Sequence, residues 1–142
     1  MDDMDRRSAL ALGLTAAATS VTSVLAFPAP ATAETYGPNE GKELVPGVRQ
    51  VDLGKRETMI KGYKTVSMRD IVFQPGTSIP EAPMRNDMLC HITEGELHIK
   101  QGGKEFTVKK NGLYSCAQGE PEQPTNTGST VAIMRIIDLL PA

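Results

Sequence analysis

The sequence predicts an all-β fold, in which a single β-barrel domain follows an N-terminal export signal. The first observation is a series of short runs rich in β-branched residues, separated by turn-forming glycine, proline and asparagine. The second is the alternation of apolar and polar side chains within those runs, which is the period of a half-buried strand. The third is that no stretch after residue 34 carries a sustained apolar stripe of helical period. We therefore expect very little helix.

The candidate strands recur roughly every 8–12 residues, a spacing typical of β-sandwiches and barrels. Gly102-Gly103 and Asn111-Gly112 fall between strands and suit tight turns, because these residues tolerate positive φ. The candidate strands are Gly47–Leu53, Thr58–Ile60, Lys64–Phe73, Asp87–Thr93, Leu97–Gln101, Glu105–Lys109, Leu113–Ala117 and Thr130–Asp138.

Alternation within these runs predicts which side chains face the interior. Met88, Cys90 and Ile92 fall on one face of their strand, with Leu89 and His91 on the other. The segment 131–137 is instead nearly continuous in apolar residues, so it predicts a central strand that is covered on both faces.

The first 33 residues are predicted to be a removable signal peptide. Arg6-Arg7 precedes the apolar run Ala9–Leu14, and Ala31-Thr32-Ala33 offers the small-residue pattern that a signal peptidase cleaves. The paired arginines favour the twin-arginine route, with the Sec route as the alternative. We expect a periplasmic or secreted protein, in which residues 34–46 form an extended arm and residues 47–142 form the barrel domain.

Charge and composition exclude some partners. The chain has a net charge of -2 and only 4% aromatic residues, so it offers neither a basic surface for phosphates nor a stacking platform for bases. No nucleic-acid partner is expected. A second apolar stretch of spanning length is absent from the sequence, so no membrane partner is expected after processing.

From residue 66 to residue 137, the order of strands and turns resembles the cupin family of jelly-roll barrels. The resemblance implies a single cupin barrel that carries the two sequence motifs of the family. Leu113 stands where the second motif often has an acidic residue. The residues that carry the resemblance are Phe73-Gln74-Pro75-Gly76, Ile92-Thr93-Glu94-Gly95-Glu96-Leu97, Lys110-Asn111-Gly112-Leu113-Tyr114, Gly119 and Asn126.

The same resemblance implies a metal held by three histidines and one glutamate, but this chain lacks them. Met88 stands at the glutamate position, and Glu122 stands at the position of the last histidine. The first two histidines are replaced by Ala82 and Met84, or by Glu81 and Pro83 in the alternative alignment. No cofactor and no metal of the usual cupin pattern are therefore predicted, and binding of another metal ion stays open.

Met84, Met88, Cys90 and Cys116 form an unusual group of sulfur-containing residues that we expect at the barrel interior or mouth. Three interpretations remain open. They can pack as adaptable core residues, Cys90 and Cys116 can form a disulfide in an exported protein, or the set can hold a soft ion such as Cu(I).

Glu122 is the candidate catalytic residue, since a carboxylate in a semi-enclosed apolar pocket can serve as a general acid or base. The alternative is a solvated carboxylate in a proline-rich loop. Asn126 is a candidate pocket residue, and Asn86 and Asp87 can orient a ligand or cap a turn. His91 and His98 are expected at the surface or at an interface.

Three functions follow from these residues. The first is an exported cupin-domain protein that binds a small molecule or a partner in a barrel without the usual metal. The second is an acid–base enzyme of isomerase, lyase, dehydratase or dioxygenase type that uses Glu122. The third is a copper or redox protein that uses the sulfur residues. A homodimer is also expected, in which the arm covers an open sheet edge of a neighbour.

Overall fold

The computed structural model describes residues 35–142. The predicted signal peptide and Glu34 lie outside the described residues. Within the described part the chain is all-β, as predicted, and contains no helix. No helix in that part is therefore long and apolar enough to cross a bilayer. The strands are β1 (Lys42–Val45), β2 (Val48–Glu57), β3 (Tyr63–Phe73), β4 (Ala82–Pro83), β5 (Asp87–Glu94), β6 (Glu96–Gln101), β7 (Lys104–Lys109), β8 (Leu113–Cys116), β9 (Pro121–Thr125) and β10 (Ala132–Pro141).

The strands form two sheets in which every neighbouring pair is antiparallel. The six-stranded sheet has the order β1-β2-β3-β10-β5-β8, and the four-stranded sheet has the order β4-β9-β6-β7. The main core lies between the sheets and includes Phe73, Ile92, Leu97 and Ile99, all fully buried. Two layers packed over one apolar interior make the jelly-roll barrel that the sequence predicts.

Strand β10 is central, which confirms the interpretation of its apolar run. It pairs with β3 on one side and with β5 on the other. Ile133 and Met134, which point to opposite faces of the strand, are both buried. Arg135 interrupts the apolar run because its guanidinium binds Asp70 of β3, with the Nε–Oδ1 and Nη2–Oδ2 distances both 2.9 Å.

The N-terminal arm is more structured than predicted, because it contributes to the chain's own barrel. Its residues Lys42–Val45 form β1 and pair with the beginning of β2. Tyr36 packs with Val72 and Ile133 on the outer face of the six-stranded sheet, where its hydroxyl donates to Asp70 Oδ2 at 2.6 Å. Homodimer formation stays a prediction.

Three local predictions were wrong. Residues 58–60 form the turn after β2 rather than a strand, and the short strands β4 and β9 were not recognised. Strand β9 was missed because it contains Pro121 and Pro124, and proline cannot donate to a sheet. Its prolines act as acceptors instead, since Pro121 O receives Gly102 N–H and Pro124 O receives Ile79 N–H.

Candidate ligand cavity and the Glu122 cluster

A cavity of about 590 Å³ lies on the inner face of the six-stranded sheet. The segment 79–86 and strand β9 wall it from the opposite side. Because alternate side chains of β3 and β10 point to this face, apolar residues line most of the cavity. They include Ile71, Ile79, Met84, Met88, Met134 and Ile136.

A polar network forms another part of the cavity wall. Arg69 on β3 donates to Asp138 on β10, with an Nε–Oδ2 distance of 2.8 Å and an Nη2–Oδ1 distance of 3.2 Å. Asn86 donates to the same carboxylate at 3.1 Å, and Gln50 accepts from Arg69 Nη1 at 3.1 Å. Each side chain holds the next, so these groups present fixed hydrogen-bonding positions to the cavity.

Glu122 provides a buried carboxylate on the cavity wall. It lies on β9 and is only 4% exposed. Oε1 accepts a hydrogen bond from the Tyr114 hydroxyl at 2.8 Å, and Oε2 accepts one from the Cys116 thiol. The Tyr114 hydroxyl also lies 3.0 Å from Met134 Sδ. Tyr114 and Cys116 are two positions apart on β8 and therefore point to the same face of the strand, which brings both donors to one carboxylate.

The two donors are held in their protonated forms. Burial raises the pKa of Tyr114 far above its ordinary value, with Cys90 and Glu122 adding to the effect. The hydrogen bond with Cys90 and burial raise the pKa of the Cys116 thiol in the same way. A thiol that stays protonated is a hydrogen-bond donor rather than a nucleophile or a thiolate ligand.

The sulfur residues differ in what they contact. Met84 and Met88 line the cavity and Cys90 and Cys116 do not, although all four pack in or against the same core cluster and Met88 is registered opposite Cys116. Both cysteines are buried free thiols, so the structure contains no bond between them. Cys116 contacts the site indirectly, through its hydrogen bond to Glu122.

Asn126 lies away from the cavity, contrary to its predicted place in the pocket. Its side-chain amide donates to Phe73 O at 3.1 Å and to Thr130 O at 2.9 Å, and its carbonyl accepts from Gly128 N–H. The amide is thus used to hold the loop before β10. It borders only a separate shallow depression.

The two polar residues at the start of β5 have different roles. Asn86 lines the cavity and orients Asp138. Asp87 turns away from it and accepts from the Tyr63 hydroxyl at 2.5 Å and from Gln118 N–H at 2.8 Å. The Tyr63 hydrogen bond, followed by the Gln118 amide, lowers the pKa of Asp87.

The metal set that the cupin resemblance implies does not fit these residues. Glu122 and Met88 occupy two of the positions, and both oxygens of Glu122 already accept hydrogen bonds. The chain's two histidines lie elsewhere: His98 approaches Glu105 at 3.6 Å on the four-stranded sheet, and His91 is registered opposite Leu113 on β8. Within residues 35–142, no group of three or more His, Cys, Asp or Glu residues is placed to hold a metal ion.

Sequence reasoning missed Tyr114, Arg69 and Asp138. Tyr114 precedes Cys116 by two positions, so period-two alternation could have placed both on the inner face of β8. Arg69 and Asp138 likewise share the inward register of their strands with Ile71 and Ile136. A charged residue at a position predicted to face the interior could therefore have identified Arg69 and Asp138 as site residues.

Comparison with known proteins supports the fold. No family model and no curated protein sequence matches the chain. Among solved structures, the cupin domain of Schizosaccharomyces pombe Cnp3 superposes with a TM-score of 0.56 at 16% identity, covering 66% of this chain and 64% of that one. The chain thus spans slightly less than two thirds of that structure's length.

Two bacterial structures give similar values. An RmlC-like cupin from Shewanella frigidimarina superposes with a TM-score of 0.57 at 14% identity, covering 80% of this chain and 96% of that one. The Cupin_2 domain of an XRE family transcriptional regulator from Enterobacter cloacae gives 0.58 at 18% identity, covering 68% and 99%. Two antiparallel sheets, the glycine-bearing turns of both motifs and these superpositions agree, and the chain therefore has the cupin jelly-roll fold.

Proposed function

We propose that this cupin-domain protein binds a small, mainly apolar molecule in its barrel without the usual cupin metal. The observation that carries the proposal is the cavity of about 590 Å³, which is lined mainly by apolar side chains and by two buried, hydrogen-bonded carboxylates, Glu122 and Asp138. Pockets of roughly 300–1,000 Å³ with a few fixed polar groups are typical small-molecule sites.

The wall chemistry defines the kind of ligand. Met84, Met88 and Met134 offer flexible, polarizable surface that adapts to the shape of a ligand. Glu122 retains lone pairs that can accept a hydrogen bond from a ligand hydroxyl or amine. The Arg69–Asp138 pair offers a second polar contact on the wall. A compact molecule with an apolar body and a hydrogen-bond donor fits this arrangement.

Export is the remaining part of this proposal. It is supported by Arg6-Arg7, the apolar run after them and the Ala31-Thr32-Ala33 pattern. Fractionation of the source cells, with N-terminal sequencing of the protein, tests it directly. We expect the chain outside the cytoplasm to begin at Glu34.

Ligand binding is tested with N-phenyl-1-naphthylamine, a neutral fluorophore whose emission rises in apolar sites. We expect saturable binding to the full chain and loss of binding in Met84→Trp, because the indole fills the cavity. Leu113→Trp is the matched control, since Leu113 is 73% exposed on β8 and outside the cavity lining. Equal binding by both variants, or no binding by the wild-type protein, would contradict the proposal.

A second candidate is an acid–base enzyme that uses Glu122. The hydrogen bond from Tyr114 favours it, because a carboxylate with one donor fixed on each oxygen is already oriented toward the cavity. In such a reaction Glu122 would accept a proton from a bound substrate and return it to another atom of the same molecule, and Tyr114 would serve as a positioning residue.

Exchange of the α-protons of cyclohexanone in D₂O, followed by proton NMR, tests this activity with a simple carbon acid. We expect exchange above the background rate with the wild-type chain and the background rate with Glu122→Gln. If N-phenyl-1-naphthylamine binds while exchange stays at background for both proteins, the binding function stands and proton abstraction from this ketone fails.

A further inference from the structure

The tip of the hairpin formed by β2 and β3 carries the most exposed large apolar side chain of the described part, next to a second exposed one. We define this hairpin tip as residues 55–64. Met59 has a relative exposure of 103% and the adjacent Ile60 one of 56%. An exposed apolar pair at the end of a hairpin does not contribute to the barrel core, and contiguous exposed apolar surface marks interaction sites.

Cationic side chains surround this apolar pair. The hairpin tip contains four cations and a single carboxylate, Glu57, so its net charge is +3, whereas the whole chain has a net charge of -2. All four cations are exposed, and none of them takes part in an ion pair formed within residues 35–142. The cations are Lys55, Arg56, Lys61 and Lys64.

The hairpin tip is ordered by its own hydrogen bonds. The β2–β3 register continues to the pair Glu57↔Thr65, and beyond it Thr58 N–H donates to Lys64 O at 3.1 Å. The turn is closed by Tyr63 N–H, which donates to Ile60 O at 3.2 Å. The backbone that carries Met59 and Ile60 is therefore already fixed, so little conformational entropy is lost when they contact a partner.

We propose that the hairpin tip docks on the surface of a bilayer containing anionic phospholipid. Met59 and Ile60 would enter the boundary between headgroups and acyl chains, and the four cations would contact the phosphates. Charge decides the occupant: a two-fold contact between two copies of the tip would oppose like charges, whereas an anionic headgroup layer complements them.

This inference differs from the expectation, based on the sequence alone, that no membrane contact follows processing. That expectation came from the missing spanning segment. Docking on a surface requires only a small apolar projection and neighbouring cations, and both become evident when the turn at residues 58–62 is seen to be exposed. The proposal is independent of the ligand cavity, since the cavity lining contains no residue of the hairpin tip.

The chain contains no tryptophan, so a single substitution creates a site-specific reporter. In Met59→Trp, we expect a blue shift of the emission on vesicles of equal parts phosphatidylglycerol and phosphatidylcholine, with quenching by brominated acyl chains. We expect neither effect on vesicles of phosphatidylcholine alone. Reversal of two cations, Lys61→Glu with Lys64→Glu, should weaken partition of the reporter roughly tenfold or more.

Leu113→Trp is the matched control, because Leu113 is 73% exposed on β8, at the opposite edge of the six-stranded sheet from β1 and β2. Both reporters are made in the full chain, so any membrane contact by residues 1–34 is common to them. The proposal is overturned by an unshifted Met59→Trp on anionic vesicles, by equal shifts of the two reporters, or by an equal response to neutral vesicles.

Discussion

The hydroxyl of Tyr114 donates to Oε1 of Glu122 at 2.8 Å, and this hydrogen bond joins the two sheets of the barrel. Tyr114 lies on β8 of the six-stranded sheet, and Glu122 lies on β9 of the four-stranded sheet. The thiol of Cys116 binds the other oxygen of the same carboxylate. A buried carboxyl group needs hydrogen-bond partners, so the contact that joins the two layers also shapes the candidate site.

Tyr114→Phe removes one of these donors without changing the ring. We expect the free energy of unfolding to fall by about 1–3 kcal/mol, the cost of depriving a buried polar group of a hydrogen-bond partner, because Glu122 stays buried with one fewer donor. Urea denaturation at pH 7 measures the change. Tyr63→Phe is the matched control, since its partner Asp87 lies nearer solvent, and its loss should be smaller. Equal losses in the two variants would contradict a special role for the Tyr114–Glu122 contact.

Much of the fold could be predicted from the sequence because local pattern and tertiary structure agree. The alternation of Met88, Cys90 and Ile92 gave the inner face of β5, and the apolar run of β10 predicted its central place. All three of those β5 residues are at most 5% exposed. The alternation of side chains between the two faces of a strand is a property of the backbone, so it can be predicted without knowing the neighbouring strands.

The site was less predictable because it depends on pairings between distant strands. Pro121 immediately precedes Glu122, and Pro124 follows it two positions later. A segment of this composition is typical of a solvated loop. Glu122 becomes buried only because β9 lies between β4 and β6 in the sheet. The donor Tyr114 comes from the other sheet, and no sequence spacing encodes that approach.

All three tyrosines of the chain are expected to resist ionisation near pH 10. Burial, followed by the hydrogen bond to Asp70, raises the pKa of Tyr36 to about 12. The hydrogen bond to Asp87 raises the pKa of Tyr63, and burial raises the pKa of Tyr114. Because the folded pKa values exceed the unfolded ones, the stabilising contribution of each phenol is complete below about pH 10 and falls above it, and that of Tyr36 is lost as the pH rises through about 12.

Absorbance at 295 nm follows this ionisation directly. We expect the folded protein to give less tyrosinate signal at pH 10 than the urea-unfolded protein, and the remaining rise to coincide with alkaline unfolding as monitored by circular dichroism. In Tyr36→Phe the total change in absorbance at 295 nm should fall by one third, because one of the three tyrosines is removed. Ionisation of more than one tyrosine near pH 10 while the β-signal persists would contradict the buried contacts of Tyr36 and Tyr114.

Arg135→Met should be among the most destabilising single substitutions outside the cavity. Asp70 is only 1% exposed, and without the bidentate guanidinium its carboxylate keeps, among residues 35–142, only the Tyr36 hydroxyl. Because the Arg135 side chain itself is 35% exposed, we expect a loss near or below the lower end of the range of about 3–5 kcal/mol that breaking a fully buried pair costs. The surface pair of His98 and Glu105 gives a control, and Glu105→Gln should cost below about 1 kcal/mol. Urea denaturation of both variants tests the contrast, and similar losses would contradict it.

Gly95 connects β5 to β6, and its position explains why the first cupin-like motif carries a glycine there. Its φ is +68°, and a Cβ at this position would lie 2.5 Å from Val131 O and 2.9 Å from Ala132 Cα. Both neighbours are backbone atoms at the start of the central strand, so they cannot move aside without disturbing β10. Gly95→Ala thus combines left-handed strain with overpacking.

Gly103 separates these two effects, because its φ is +80° but a Cβ there would meet nothing within 4 Å. We expect Gly103→Ala to lower the free energy of unfolding by about 1 kcal/mol, from the backbone conformation alone. Gly95→Ala should cost about 2–4 kcal/mol, since the steric contribution of roughly 1–3 kcal/mol adds to the same strain. Chemical denaturation measures both. If the two substitutions cost the same, the close approach of the β5–β6 turn to β10 is not what requires glycine at position 95.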